Sequence, residues 1–127
     1  MMRDQKLWTW HIAAGAVILV LLGMHMTIMH LDRLVHFAGL NPAGGHPIDW
    51  ENVVARGRSA AFAVTYVLLL GAALFHGLYG LRNILLELNP PAPLKKVIGP
   101  LLLLAGLGLF AFGTWAAAAS HALARTF

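Results

Sequence analysis

The stretch SAAFAVTYVLLLGAALFHGLYGL, from Ser59 to Leu81, decides the fold. It runs for 23 residues without an Asp, Glu, Lys or Arg. About 20 apolar residues cross the hydrocarbon core of a bilayer as a helix. Two more charge-free stretches lie either side of it, Leu7 to Leu31 and Val97 to Ala124. Lipid offers exposed backbone no hydrogen bonds, so each stretch must satisfy its own N–H and C=O groups as a helix. The expectation is an all-α integral membrane protein. One domain covers 1–127, with transmembrane helices at about 7–31, 59–86 and 97–122. The first stretch is too long for a cleaved signal peptide and lacks a small-residue cleavage site.

Composition agrees. Of 127 residues, 59% are hydrophobic and 11% charged, against about 25% charged in an average soluble domain. A ball this small buries only about two-thirds of its chain surface, so the apolar excess would face water. There are no cysteines, which removes disulfides, iron–sulfur ligation, thiolate catalysis and cysteine zinc sites within the chain. The net charge of +4 contains no basic run, so nucleic acid is not an expected partner.

The first connection holds the turn-rich run Asn41-Pro42-Ala43-Gly44-Gly45, followed by Ile48-Asp49-Trp50-Glu51-Asn52-Val53-Val54-Ala55-Arg56. The second run reads as a short interfacial helix over about 48–56, with Trp50, Val53 and Val54 sharing a face and Trp50 as its anchor. The second connection, Asn89-Pro90-Pro91-Ala92-Pro93, breaks the helix ahead of Lys95 and Lys96. The N-terminal side carries Arg3, Lys6, Arg82, Lys95 and Lys96, and the other side Arg33, Arg56, Arg58 and Arg125. That balance points to a cytoplasmic N-terminus.

Ionisable groups inside a membrane are costly and read as functional. His11, His25, His76 and His121 lie within or near the spans, His30 at an edge, and His36 and His46 in the loop. No carboxylate lies deep in any span, which disfavours proton or ion transport. A neutral imidazole in an apolar bundle suits haem iron, whose ligand nitrogen must be unprotonated. Ala72, Ala73 and Gly80 lie about one turn from His76, a slot of small residues for a porphyrin. Arg82 follows at the membrane edge, where a guanidinium can meet a propionate. The other reading of His76 is an imidazole hydrogen-bonded across a helix interface. His25 and His76 differ in depth by roughly 18 Å at 1.5 Å per residue, too far to share one iron. They would serve two haems, each with a second ligand from another chain. His11 lies at about the depth of His76, so a His11–His76 pair is the alternative. Met24, Met26 and Met29 around His25 read as packing.

Phe75-His76-Gly77-Leu78-Tyr79-Gly80-Leu81-Arg82, with Glu87 beyond, resembles the His-x3-Gly-x-Arg signature of the succinate dehydrogenase and fumarate reductase (complex II) membrane anchors. Gly15 with His25, and Ile48-Asp49-Trp50 ahead of Val53 and Arg56, resemble the small (D-type) anchor of the di-haem, two-anchor-subunit type. Glu87 stands where that family usually has Asp, and His11 near a place where it often has Arg.

The resemblance implies a subunit that is not itself catalytic. It would bind haem b, two per complex, through His76 and His25, and pass electrons between an iron–sulfur subunit and quinone (menaquinone or ubiquinone). It implies a flavoprotein subunit and a second anchor as further partners, in a bacterial or archaeal inner membrane. Arg82 and Arg56 are candidates for propionate or subunit contacts. Trp8, Trp10, His11 and Tyr79 are quinone-proximal candidates, with the two tryptophans also readable as an interfacial belt. The alternatives are a haem b subunit of another respiratory dehydrogenase or reductase, or a haem-free structural anchor or small transport component.

Overall fold

A computed structural model describes residues 2–39 and 45–127. The Asn41-Pro42-Ala43-Gly44 part of the expected turn lies outside the described residues. The elements are α1 Met2–His30, α2 Asp32–Phe37, α3 Trp50–Gly57, α4 Ala60–Glu87 and α5 Ala92–Ala124. No strand occurs among the described residues. Three helices are long and apolar enough to span a membrane: Gln5–His30, Ala60–Glu87 and Ala92–Ala124. The protein is an all-α, multi-pass membrane protein.

The boundaries differ from the sequence expectation where polar or proline residues read as stops. α5 starts at Ala92 rather than about 97. Pro91 precedes the helix and Pro93 sits in its first turn, where a missing N–H breaks no intrahelical bond. Pro100 lies inside the helix, at the loss of one backbone bond. α4 ends through Asn89, whose φ of 51° is the left-handed conformation that closes many helices. The Lys95 ammonium donates to Asn89 Oδ1 at 2.7 Å and ties the two ends together. The short helix α2 is an addition to the expected elements. Leu31 leaves the helical region at φ −114° and ψ 67°, and the chain then makes one more short helix.

Of the three long helices, α4 is the middle one. α4 packs against both α1 and α5, and among the described residues α1 and α5 do not touch. Although it is the middle helix, α4 has no fully buried residue. Ile28, Pro47, Val54 and Ala124 are the buried apolar residues among those described. Hydrocarbon supplies no hydrophobic drive between helices, so close packing and hydrogen bonds must hold them. On the α4–α5 side, glycines accept knobs from the opposite helix. Leu78 Cδ1 lies 2.7 Å from where a Cβ on Gly106 would stand, the Phe110 ring lies 3.2 Å from that point on Gly71, and Leu70 fills the space beside Gly113.

The start of α4 is docked by a reciprocal joint. His121 Nδ1–H, on α5, donates to the Gly57 carbonyl at the end of α3, 2.7 Å away. Arg58 Nε–H donates to the Ala124 carbonyl at the end of α5, 3.2 Å away. Each helix end thereby gains a donor for an orphan carbonyl. In α3 the buried residues are Asn52, Val54 and Arg56, while Trp50 and Val53 are exposed. Of the three residues expected to share an apolar face, Val54 turns inward and Trp50 and Val53 face outward. Loop carbonyls need donors when buried. Asn52 Nδ2–H supplies one to His46 at 3.1 Å and Arg56 Nη2–H supplies another to Pro47. Trp50 instead meets the Phe127 ring edge-on at 5.6 Å.

Candidate functional site

The α1–α4 interface is set by one antiparallel register. Gly15 takes the His76 ring, with Cε1 3.1 Å from a would-be Cβ, and Gly80 takes the His11 ring at 3.4 Å. Further along α1, the His25 ring meets Tyr66 edge-on at 5.8 Å. The steps along α1 from His11 to Gly15 and on to His25 are matched by equal steps back along α4, from Gly80 to His76 and on to Tyr66. Both helices therefore carry His-x3-Gly, His11 to Gly15 and His76 to Gly80, and the two copies interlock.

This interlock bears on several of the sequence expectations. His11 and His76 do share a depth, with ring centroids 4.0 Å apart and planes within 6°. Two axial ligands must approach one iron from opposite sides along a common line, with the macrocycle between them. Rings stacked face to face at this distance leave no gap for a porphyrin, so this arrangement is not a bis-imidazole clamp. Gly80 does not hold a slot open beside His76, because His11 lies against it. Ala72 is half-buried and Ala73 exposed.

The hydrogen bonding of His76 carries the chemistry. Its Nδ1 lies 3.0 Å from the backbone carbonyl oxygen of His11. A carbonyl only accepts, so Nδ1 carries the proton and the neutral ring keeps its lone pair on Nε2. A backbone carbonyl that fixes the tautomer in this way is what metal-ligating histidines use. The interface reading and the ligand reading of His76 thus engage different nitrogens and are compatible. Among the described residues no three His, Asp or Glu side chains cluster to hold a bare ion. Haem asks less of the protein, since its macrocycle supplies the equatorial ligands.

His25 sits some ten residues of α4 away from that level, about 15 Å by helical rise, beside Tyr66. It lines a cavity of ≈ 190 Å³ between α1 and α4, walled by Leu21, Met24, Ile28, Phe62 and Leu69. The two histidines therefore occupy two levels of one interface.

The remaining candidates divide. Tyr79 stands beside His11, with ring centroids 5.2 Å apart. Trp8 and Trp10 are 59% and 67% exposed and face outward. Arg82 lies against α5, its Nε 3.6 Å from the would-be Cβ of Gly99, and not toward the His76 ring. Arg56 is 5% exposed, and among the described residues its α3 packs on α4 and α5 but not on α1. Its Nη1 is buried without a hydrogen-bond partner. Sequence reasoning carried a cross-interface hydrogen bond as its other reading of His76 without naming the His11 carbonyl as the partner, and it missed the joint made by Arg58 and His121. The repeated His-x3-Gly was the available signal for the first. Nothing local marks the second.

The fold and this interface define a class: three-span helical membrane proteins presenting imidazoles at two depths. Comparison with known proteins narrows it. The chain is 30% identical over 108 residues to the succinate dehydrogenase hydrophobic membrane anchor subunit of Archaeoglobus fulgidus, covering 85% of this chain and 83% of that one. No family model matches the chain, and no solved structure matches it. The chain belongs to the family of succinate dehydrogenase hydrophobic membrane anchor subunits.

Proposed function

We propose that this chain is a haem-binding anchor of a succinate:quinone oxidoreductase, with His76 and His25 each giving one axial ligand to a separate haem b. The observation that carries the reading is the His76 Nδ1–H bond to the His11 carbonyl, 3.0 Å long, which leaves the Nε2 lone pair for the ligand role. Further ligands would come from a second anchor subunit, because no residue of α4 is fully buried by α1 and α5. When bound, haem supplies one-electron transfer between the iron–sulfur subunit and quinone, menaquinone or ubiquinone.

The chain's own residues orient and enclose. Gly15 admits the His76 ring, the His11 ring fixes its plane by stacking, and Tyr66 borders His25. His11 and Tyr79 form a polar pair suited to the rim of a quinone pocket. Trp8 and Trp10 face lipid or the second anchor. The N-terminus, with Lys6, Arg82, Lys95 and Lys96 on its side, lies in the cytoplasm of a prokaryotic cell, where the iron–sulfur and flavoprotein subunits dock. The chain has no activity of its own.

Haem per complex, counted after purification with all subunits present, tests the reading. His76→Ala and His25→Ala should each remove one haem and leave the other. A His76→Ala complex that keeps every haem overturns the assignment. A wild-type complex without a Soret band leaves a haem-free structural anchor, for which the His11–His76 stack would be packing alone.

A further inference from the structure

The groove between α4 and α5 is separate from the stacked histidines, with Tyr79 bordering both. Its volume is ≈ 370 Å³, and its walls include Leu74, Leu78, Leu102, Leu103 and Leu107. Tyr79 and Arg82 are the polar side chains that reach it. It runs from Arg82 back to Gly71 along α4, about 16 Å by helical rise. That length is about half of a ~30 Å hydrocarbon core, so the groove spans one leaflet from the interface to the midplane.

Arg82 closes the interfacial end. Its guanidinium has one weak contact, from Nη1 to Asn83 Oδ1 at 3.4 Å, and no carboxylate within ion-pair reach among the described residues. Glu87, at the same end, is exposed and does not pair with it. Lys95 and Lys96 are exposed on the first turns of α5, a turn before Gly99. The groove therefore asks for an amphiphile with a long apolar part and an anionic end. Haem does not fit, because no ring nitrogen lines the groove. A neutral quinone would leave the guanidinium uncompensated.

We infer that this groove seats one acyl chain of an anionic glycerophospholipid, with Arg82 holding its phosphate. Basic pockets between transmembrane helices recognise anionic headgroups in this manner, and the guanidinium matches phosphate geometry in a fork. The site is independent of haem, so lipid retention and haem content are read separately.

The test is native mass spectrometry of the purified complex. The complex is equilibrated in micelles holding phosphatidylglycerol and phosphatidylcholine with identical acyl chains. The wild type should retain one phosphatidylglycerol per copy of this chain that Arg82→Gln loses, with haem content unchanged. Arg82→Lys should keep part of the preference. Leu103→Trp, which fills the groove from its exposed wall, should lower retention of both lipids. Equal retention of the two lipids by the wild type overturns the inference. So does unchanged phosphatidylglycerol in Arg82→Gln, or its displacement by inorganic phosphate or by a short-chain quinone.

Discussion

His76 donates its Nδ1 proton to the main-chain oxygen of His11, 3.0 Å across the α1–α4 interface, while the two imidazoles lie parallel 4.0 Å apart. One residue thus serves the other twice, by its backbone for the tautomer and by its ring for the plane. The two services can be separated by substitution.

Replacing His11 by Ala removes the ring and keeps the carbonyl. His76 should keep its tautomer, so haem content should stay at the wild-type value. The absorption and electron paramagnetic resonance spectra should change as the His76 plane loses its stacking partner. Loss of a haem in His11→Ala would instead mark His11 as a ligand.

Gly15 is the position where a side chain matters most to His76. A Cβ there would stand 3.1 Å from Cε1 and 3.2 Å from Nδ1. Gly15→Ala asks the ring to yield by a few tenths of an ångström and should retain haem. Gly15→Val should push the ring off the His11 carbonyl and weaken haem binding about 10–100-fold, the usual cost of losing an outer-shell partner. Haem titration of the apo complex measures both.

Arg56 and Asn52 hold the loop ahead of α3 through the Pro47 and His46 carbonyls. Arg56→Ala strands the buried Pro47 carbonyl and should cost about 1–3 kcal/mol. The readout is a lower thermal midpoint and faster proteolysis ahead of α3, with both haems retained. Loss of the His25 haem in this variant would give Arg56 a propionate role instead.

The Arg58 and His121 bonds close one joint from two sides. Each alanine variant should lower stability by about 1 kcal/mol. Once either bond opens the joint, the other is worth less. The double variant should therefore lose less than the two singles together, a coupling that a double-mutant cycle reads.

The spans were legible in the sequence because hydrocarbon imposes one rule, an unbroken run of uncharged residues, on each of them. The equal depth of His11 and His76 was legible too, since helical rise converts residue counts into heights. What could not be read was direction around the helix axis. Ala72, Ala73 and Gly80 looked like a slot beside His76, yet Gly80 faces the ring of His11 from another helix. Arg82 looked like a neighbour of His76 by number, yet its guanidinium reaches α5. In α3 the inward turn of Asn52 and Arg56 beside Val54 could not be read from the apolar pattern, because it answers carbonyls that the neighbouring loop presents. The run Asn89-Pro90-Pro91-Ala92-Pro93 read as a break in full, although the first turn of a helix tolerates Pro93.

A middle helix without a fully buried residue leaves this fold no inside. With α1 and α5 out of contact among the described residues, every residue of α4 keeps some surface for a neighbour to cover, and an isolated copy has nothing to cover it with but lipid.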